Sequence, residues 1–262
     1  MAEIQVGVVS ELWRYPVKSL RGERMRELTV TDQGALGDRT FALRELKYGA
    51  IMSAKMWPWM LQLRGAWSVA PDGDGNGGTV RVELPDGSVI EGDSNAGAER
   101  LSALFKHPVR LERTRQAHIT PEDLAAIQRG DAFLPQWKFY DEGPLHLLAT
   151  GTLRHLSGLE GGEADFDPRR FRPNILIDTG DEAGEFIEDR WLGGVLEIGD
   201  ARIGDMWPAI RCVMTTHPQD ELPHAPAILR TAAQHHQAYV GVFAGARTPG
   251  TIRVGDPVIL CA

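Results

Sequence analysis

Short apolar runs separated by turns rich in glycine and proline are the feature that most limits how this chain can fold. Residues 79–93, TVRVELPDGSVIEGD, alternate apolar and polar side chains around a central Pro-Asp-Gly turn, which predicts a β-hairpin with one buried face. Residues 194–206 predict a second hairpin, and residues 248–260 predict two short strands. We therefore expect a mostly β fold, either an all-β barrel or an α+β fold built around one, and not a doubly wound α/β fold.

Only a few segments show helical spacing of apolar residues. Residues 95–107, residues 145–159 and residues 226–236 each predict a helix. Pro58 lies inside the apolar segment 53–67 and disfavours one uninterrupted helix there, so this segment has no assignment. The list of elements is completed by a strand over 6–17 that turns at its proline, a loop over 71–78, and a loop that enters a strand over 171–178.

Composition and charge exclude several classes of protein. The apolar fraction of 42% and the charged fraction of 24% are typical of a folded globular chain, and 262 residues suffice for one compact unit or two closely packed ones. A formal net charge of −8 disfavours nonspecific binding to nucleic acid. The sequence contains neither an apolar run long enough to span a membrane nor the pattern of a signal peptide, so we expect a cytoplasmic protein without a membrane anchor.

An anionic ligand would have to be bound by local clusters of positive charge. Taken one at a time, the lysine and arginine side chains are interpreted as solvated surface charges, but they are unevenly distributed along the sequence. Two groups stand out: Arg14, Lys18, Arg21, Arg24 and Arg26 near the start of the chain, and Arg169, Arg170 and Arg172 in its middle.

Cys212 is the residue that remains as a candidate for chemistry. The sequence has no dinucleotide-binding, phosphate-loop, zinc-protease or serine-hydrolase motif. A lone cysteine in an apolar run is more often a small buried side chain than a ligand, so the residue alone leaves both interpretations open. Cys261 is expected to lie in a frayed terminus without a role, and His235 and His236 on a solvated surface.

Six segments recur in a characteristic order across almost the whole chain. They are ELWRYPVKSLRG at 11–22, GDRTFAL at 37–43, RRFRPNILID at 169–178, FIEDRW with LEIGDARI at 186–203, RCVMTT at 211–216 and PGTIRVGDPV at 249–258. As an ordered set they resemble the MOSC family, whose members include the mitochondrial amidoxime-reducing component, its bacterial relatives, and the C-terminal domain of molybdenum cofactor sulfurase.

The resemblance implies a fold and a cofactor. It implies a smaller β-rich N-terminal MOSC-type domain over residues 1–115, a MOSC β-barrel domain over residues 116–262, and a molybdenum-pterin cofactor in its molybdopterin form between them. Cys212 would ligate molybdenum, for which a soft thiolate is a suitable donor. Arg211 would either favour the thiolate or form an ion pair.

The resemblance also assigns residues that bind the cofactor. It places Lys18, Ser19, Arg39, Arg172 and Asn174 at the phosphate end of the pterin, where lysine and arginine suit phosphate, and serine and asparagine donate neutral hydrogen bonds. It places Thr150 and Thr152 in the same pocket. The alternatives are an ion pair with Asp38 for Arg39, a turn hydrogen bond for Asn174, and helix capping or surface exposure for the two threonines.

The chain departs from the family after residue 216. Most relatives continue with a short acidic turn containing Asp-Pro, whereas this sequence reads His217-Pro218-Gln219-Asp220. His217 is either an acid or base near the metal or an exposed loop histidine. Glu188 and Asp189 match family positions whose role the sequence leaves open. The cysteines of a C-terminal iron-sulfur domain are absent, so a reductase would need a separate electron-transfer protein.

Three functions agree with these residues. The leading hypothesis is a monomeric molybdenum-dependent reductase acting on a small N-hydroxylated or N-oxide substrate, with Cys212 as the metal ligand. The second is a noncatalytic carrier or sulfur-handling protein for the same cofactor. The third is a metal-free barrel that binds a small anion or a protein.

Overall fold

Strands dominate the structure, a computed structural model that describes residues 3–92, 94–113, 142–181 and 185–261. The strands are β1 (Glu3–Arg14), β2 (Glu23–Met25), β3 (Glu27–Thr31), β4 (Gly34–Ala35), β5 (Phe41–Glu45), β6 (Arg64–Val69), β7 (Thr79–Glu83), β8 (Val89–Glu91), β9 (Val109–Arg113), β10 (Leu145–Ala149), β11 (Ile175–Asp178), β12 (Val195–Ile198), β13 (Ala201–Ile210), β14 (Tyr239–Thr248), β15 (Gly250–Arg253) and β16 (Pro257–Cys261). The α-helices are α1 (Asn95–Phe105), α2 (Thr150–Glu160) and α3 (Pro226–His236). Short 3-10 helices cover Pro58–Gln62, Pro168–Arg170, Ile187–Trp191 and Val213–Thr216.

Seven strands close a barrel that includes the first and last strands of the chain. Their order is β11-β10-β14-β13-β12-β16-β1, and the pairing of β1 with β11 completes the circle. Every pair is antiparallel except β10 with β11. β1 pairs with β16 on one side and with β11 on the other, so the closed sheet has no free edge.

The barrel core and a second core organise the described chain. Apolar side chains from the barrel strands, among them Leu12, Ile203 and Val242, form the first core together with Trp191. The second core lies in the first half of the chain, where the sheet β6-β7-β8, the pair β5-β9 and α1 enclose Phe41 and Leu101. A third, smaller core fills the space between α2, α3 and the barrel. The expected mostly β fold with a β-rich first half and a barrel is confirmed.

Most of the elements expected from the sequence are present. The hairpins β7-β8 and β12-β13, the helices α1 and α3, and the strands β15 and β16 lie where the patterns placed them. The unassigned segment 53–67 contains the 3-10 helix at Pro58 and the start of β6.

The expectation of one helix over 145–159 was wrong at its beginning. Residues 145–149 form β10, which lies between β11 and β14 with all five of its residues buried. A strand covered on both faces has no alternation of apolar and polar residues, so its sequence does not differ from that of a buried helix. The helix begins only at Thr150.

The boundary expected at residue 115 lies in the segment 114–141, outside the described residues. Several strand pairings join residues before this boundary to residues after it. The N-terminal strand β1 is part of the barrel, and β3 pairs with β15. No helix within the described ranges is long and apolar enough to cross a membrane.

Glu188 is a buried carboxyl that connects the 3-10 helix Ile187–Trp191 to the start of α2. Its side chain accepts hydrogen bonds from the Ala149 amide, at 2.7 Å, and from the Thr152 hydroxyl. Only 2% of the residue is exposed, and this burial raises its pKa from 4.5 to about 7. The partners stabilise the ionised form, but the loss of water outweighs them.

Arg170 plays a similar structural role for the loop that follows Cys212. It is 3% exposed, and its guanidinium donates to the carbonyl oxygens of Asp165, Thr215, His217 and Pro223 at 3.0, 3.4, 3.4 and 2.9 Å. One side chain therefore satisfies several carbonyl groups of an irregular segment.

The raised pKa of Glu188 predicts a pH dependence of stability. Between pH 4.5 and about 7 the folded protein retains a proton that the unfolded chain has released, so this group's contribution to stability falls as pH rises through that window. Glu188→Gln should match the wild type at pH 4 and exceed it by about 3 kcal/mol at pH 8. Urea unfolding of both proteins across this range measures the difference, and a variant whose stability stays parallel to the wild type would contradict the assignment.

Replacement of Arg170 by lysine should destabilise the protein. An ammonium group cannot reach the same set of carbonyl oxygens, and we expect a loss of about 3 kcal/mol in the free energy of unfolding. Arg230→Lys, at an exposed position of α3, is the matched control and should change stability by less than about 0.5 kcal/mol. Denaturant titration compares the two, and equal small effects would show that Arg170 does not hold the loop.

Candidate functional site

Lys18 and Ser19 lie in the turn that follows β1. The Lys18 amide donates to the carbonyl oxygen of Phe41 at 2.8 Å, which ties the turn to β5. Ser19 has a φ of 64°, a left-handed conformation that is uncommon for a residue with a side chain. Its side chain is buried, and its hydroxyl has no hydrogen-bond partner. An unpaired buried hydroxyl is unfavourable by itself, so a hydrogen bond to a ligand oxygen at this position would be favourable.

Arg39 and Arg172 approach this turn from two other parts of the chain. Both have left-handed backbones, with φ of 47° and 57°. The Arg39 guanidinium pairs with the buried carboxylate of Asp38 and donates to the Arg172 carbonyl oxygen at 3.5 Å. The Arg172 guanidinium donates to the carbonyl oxygen of Leu20. The structure thus brings four of the expected cofactor residues together, and it also contains the Arg39–Asp38 ion pair that was the alternative.

The side chain of Asn174 connects strands. Its amide oxygen accepts from the His146 amide at 3.1 Å, and its amide nitrogen donates to the Trp13 carbonyl oxygen at 3.3 Å. Its main chain binds the same two residues. These contacts correspond to a structural hydrogen bond, as in the alternative that the sequence left open, although they join strands and do not form a turn.

His146 is a site residue that the sequence did not reveal. Its ring is 2% exposed and lies 3.0 Å from a guanidinium nitrogen of Arg211, measured to Nε2. Burial, together with the charge of Arg211, holds its pKa well below 6.5, so the imidazole is neutral. Gly241, with a φ of 81°, leaves room for it, since a Cβ there would lie 2.4 Å from Nε2. The only sequence signal was one polar residue inside the apolar run that forms β10.

Arg211 and Cys212 follow directly after β13. The Arg211 amide donates to the Ala238 carbonyl oxygen at 2.7 Å. Cys212 is a free, partly exposed cysteine that precedes the 3-10 helix Val213–Thr216, and its carbonyl oxygen accepts from the Thr215 hydroxyl at 3.0 Å. Asn174, His146 and Arg211 therefore form a continuous path from the segment of Arg172 to Cys212.

The loop after Cys212 contacts the first half of the chain. Met214 packs against the second core, Gln62 donates to the Pro218 carbonyl oxygen at 3.2 Å, and Arg21 pairs with Asp220. His217 is only partly exposed, and its Nε2 has no hydrogen-bond partner. Burial and the neighbouring His224 lower its pKa, so it is neutral at pH 7 and able to accept a proton.

Thr150 and Thr152 belong to a different set of contacts. The Thr150 hydroxyl donates to Asp178 at 3.0 Å, and the Thr152 hydroxyl donates to Glu188. Thr152 is fully buried, and its oxygen also accepts from the Ile187 amide at 3.1 Å. Both threonines tie the start of α2 to neighbouring segments, but neither caps the helix, because its N-cap residue is Ala149 and no side chain makes a cap hydrogen bond.

Two expectations about peripheral residues were wrong. His236 is not a solvated surface residue, because it stacks on Phe186 at 3.7 Å and binds Asp189 at 2.9 Å, while His235 is exposed as expected. Cys261 is not frayed, because it is buried in β16 opposite Val195.

Comparison with known proteins identifies the family. The model of the MOSC N-terminal beta barrel domain matches residues 6–132, and the model of the MOSC domain matches residues 135–259. Mitochondrial amidoxime-reducing component 1 from Homo sapiens is 28% identical, over 98% of this chain and 83% of that protein. Mitochondrial amidoxime reducing component 2 from Rattus norvegicus is 23% identical, over 97% of this chain and 83% of that protein.

Among solved structures, the YUAD protein from Bacillus subtilis aligns with 99% of this chain and 97% of its own, with a TM-score of 0.47 and 10% identity. A likeness at that level adds nothing about function. The two family models, which together cover nearly the whole sequence, show that the chain belongs to the MOSC family and is homologous, at low identity, to the mitochondrial amidoxime-reducing components.

Proposed function

We propose that this protein is a molybdenum-cofactor oxidoreductase that reduces N-hydroxylated or N-oxide substrates. Its homologues include proteins named for amidoxime reduction, and the MOSC family is associated with the molybdenum cofactor. The main support for the proposal is the buried hydroxyl of Ser19, which has no hydrogen-bond partner and lies in the cluster that also contains Arg39 and Arg172. An anionic group is the ligand that such a cluster favours, even in a protein with a net charge of −8.

The residues fit the parts of such a cofactor. Lys18, Ser19, Arg39 and Arg172 would bind its phosphate, with hydrogen bonds from guanidinium and hydroxyl groups. Cys212 would supply the thiolate ligand. The described residues contain no group of three or more His, Cys, Asp or Glu side chains that could hold a metal, so the other ligands would have to come from the cofactor itself.

The chemistry requires electrons and protons in equal number. Conversion of an N–OH group to N–H, with release of water, consumes an electron pair and two protons. When bound, the molybdenum centre supplies the electron-transfer step. His217 is our candidate for proton transfer, because it is neutral at pH 7 and its loop begins at Cys212. The proposal includes a separate electron-transfer protein as donor, a cytoplasmic location and a monomeric protein.

Replacement of Cys212 should separate the metal from the pterin. In protein purified from a host that makes the cofactor, Cys212→Ser should lower molybdenum content at least about tenfold while pterin remains, because oxygen is a poorer donor than thiolate. Elemental analysis and the fluorescence of the oxidised pterin measure the two components. Cys261→Ser, at the other free cysteine, is the matched control and should retain both.

Replacement of Arg172 by alanine should release the whole cofactor. A charge-assisted hydrogen bond contributes about 1.5–3 kcal/mol, so we expect pterin retention to weaken about 10- to 100-fold. Arg230→Ala serves as the exposed control. The same two measurements apply, with thermal unfolding to verify that each variant is folded.

The outcomes distinguish the alternatives. Wild-type protein that contains molybdenum and pterin but does not reduce amidoximes or N-oxides with a chemical electron donor would indicate a carrier or sulfur-handling protein. Wild-type protein that contains neither component, despite a competent host, would contradict the proposal and favour a metal-free barrel.

A further inference from the structure

Tyr15 contacts both guanidinium groups of the candidate site with its ring. The guanidinium carbon of Arg172 is 4.2 Å from the centre of the tyrosine ring, and that of Arg39 is 5.0 Å from it. The residue is 2% exposed, so both contacts are made in a region with little water. Attraction between a cation and an aromatic face is strongest under such conditions.

The main chain of Tyr15 also determines the position of Arg39. Its carbonyl oxygen accepts from the Arg39 amide at 2.7 Å, and its own amide donates to the Asp38 carboxylate at 2.6 Å. Asp38 in turn pairs with the Arg39 guanidinium. These contacts hold Arg39 in a left-handed backbone conformation that would otherwise be unfavourable.

The hydroxyl of Tyr15 reaches the segment of the second arginine. It donates to the carbonyl oxygen of Pro173 at 3.2 Å, directly after Arg172. Burial raises the pKa of this hydroxyl, and although the two arginines oppose that effect, the group stays protonated and remains a donor at any pH near neutrality. Arg172, like Arg39, has a left-handed backbone.

We propose that Tyr15 is a positioning residue that holds the guanidinium groups of Arg39 and Arg172 at one oxyanion site. The ring aligns the two cations, the main chain fixes the position of Arg39, and the hydroxyl adds only a hydrogen bond to the segment that follows Arg172. The inference rests on the proposed function, because it assigns this site to the phosphate of the cofactor. Preorganised donors bind an anion more tightly because the side chains lose less freedom on binding.

The test uses inorganic phosphate as the probe and the purified, cofactor-free full chain. Side-chain Nε–H signals of Arg39 and Arg172 in nuclear magnetic resonance spectra report the ring directly, because a proton above an aromatic face is shifted upfield. We compare wild type with Tyr15→Phe, which keeps the ring, and Tyr15→Leu, which removes it. Phe105→Leu, a buried aromatic residue in the second core, controls for general loosening.

We expect the upfield shift in the wild type and in Tyr15→Phe, and its loss in Tyr15→Leu. Phosphate should shift the signals of both arginines. The affinity for phosphate should be at least about tenfold weaker in Tyr15→Leu, within about threefold of the wild-type value in Tyr15→Phe, and unchanged in Phe105→Leu. Arg172→Lys keeps the charge but not the planar group above the ring, and we expect about tenfold weaker binding. This variant decides the question if Tyr15→Leu does not fold.

Several results would overturn the inference. The first is that the arginine signals of the wild type do not respond to phosphate. The second is that Tyr15→Leu or Arg172→Lys binds phosphate as tightly as the wild type does. The third is that Tyr15→Phe or Phe105→Leu weakens phosphate binding as much as Tyr15→Leu does. Failure of the proposed function has a different signature. Wild type from a competent host would then contain no pterin, while phosphate binding would still depend on the ring of Tyr15.

Discussion

Closure of the barrel by β1 is the interaction on which the rest of the structure depends. Near its end, Leu12 pairs with Ile175 at the start of β11, and the Trp13 amide donates to the Asn174 carbonyl oxygen at 2.9 Å. This pairing brings two segments that are distant in sequence to the same rim of the barrel. The turn with Lys18 and Ser19 therefore meets the segment of Arg172, and a cluster of cations forms where two chain segments leave the sheet. Without this closure, nothing in the sheet would bring the two groups of positive charge close together.

The second half of the site depends on buried polar groups that hold irregular segments. Arg170 binds the carbonyl oxygens of the loop after Cys212, and Glu188 binds the start of α2. His146 bridges Asn174 and Arg211. Each of these groups satisfies main-chain or guanidinium donors and acceptors that loops cannot satisfy among themselves. The exposed face of the cysteine is thus presented by a loop that the interior holds in place.

Residues that bind the framework differ from residues that remain available for a ligand. Asn174, Thr150 and Thr152 use their polar atoms on other strands and helices of the protein. Ser19 has a buried hydroxyl without a partner, and His217 a buried nitrogen without one. Sequence similarity to a family groups Ser19 with Asn174 and the two threonines, because it does not distinguish a hydrogen bond to the protein from one to a ligand.

Local patterns in the sequence predicted β1, β11, the two hairpins, β15, β16 and two of the three helices of the described chain, since alternation and helical spacing depend on neighbouring residues alone. They also identified Cys212 and the cationic segments. Only the tertiary structure decided that residues 145–149 are a strand, that Tyr15 lies under Arg39 and Arg172, and that His146 contacts Arg211. The physical reason is that burial on both faces, ring stacking and the pairing of distant strands are set by residues far away in the chain, which no local pattern records.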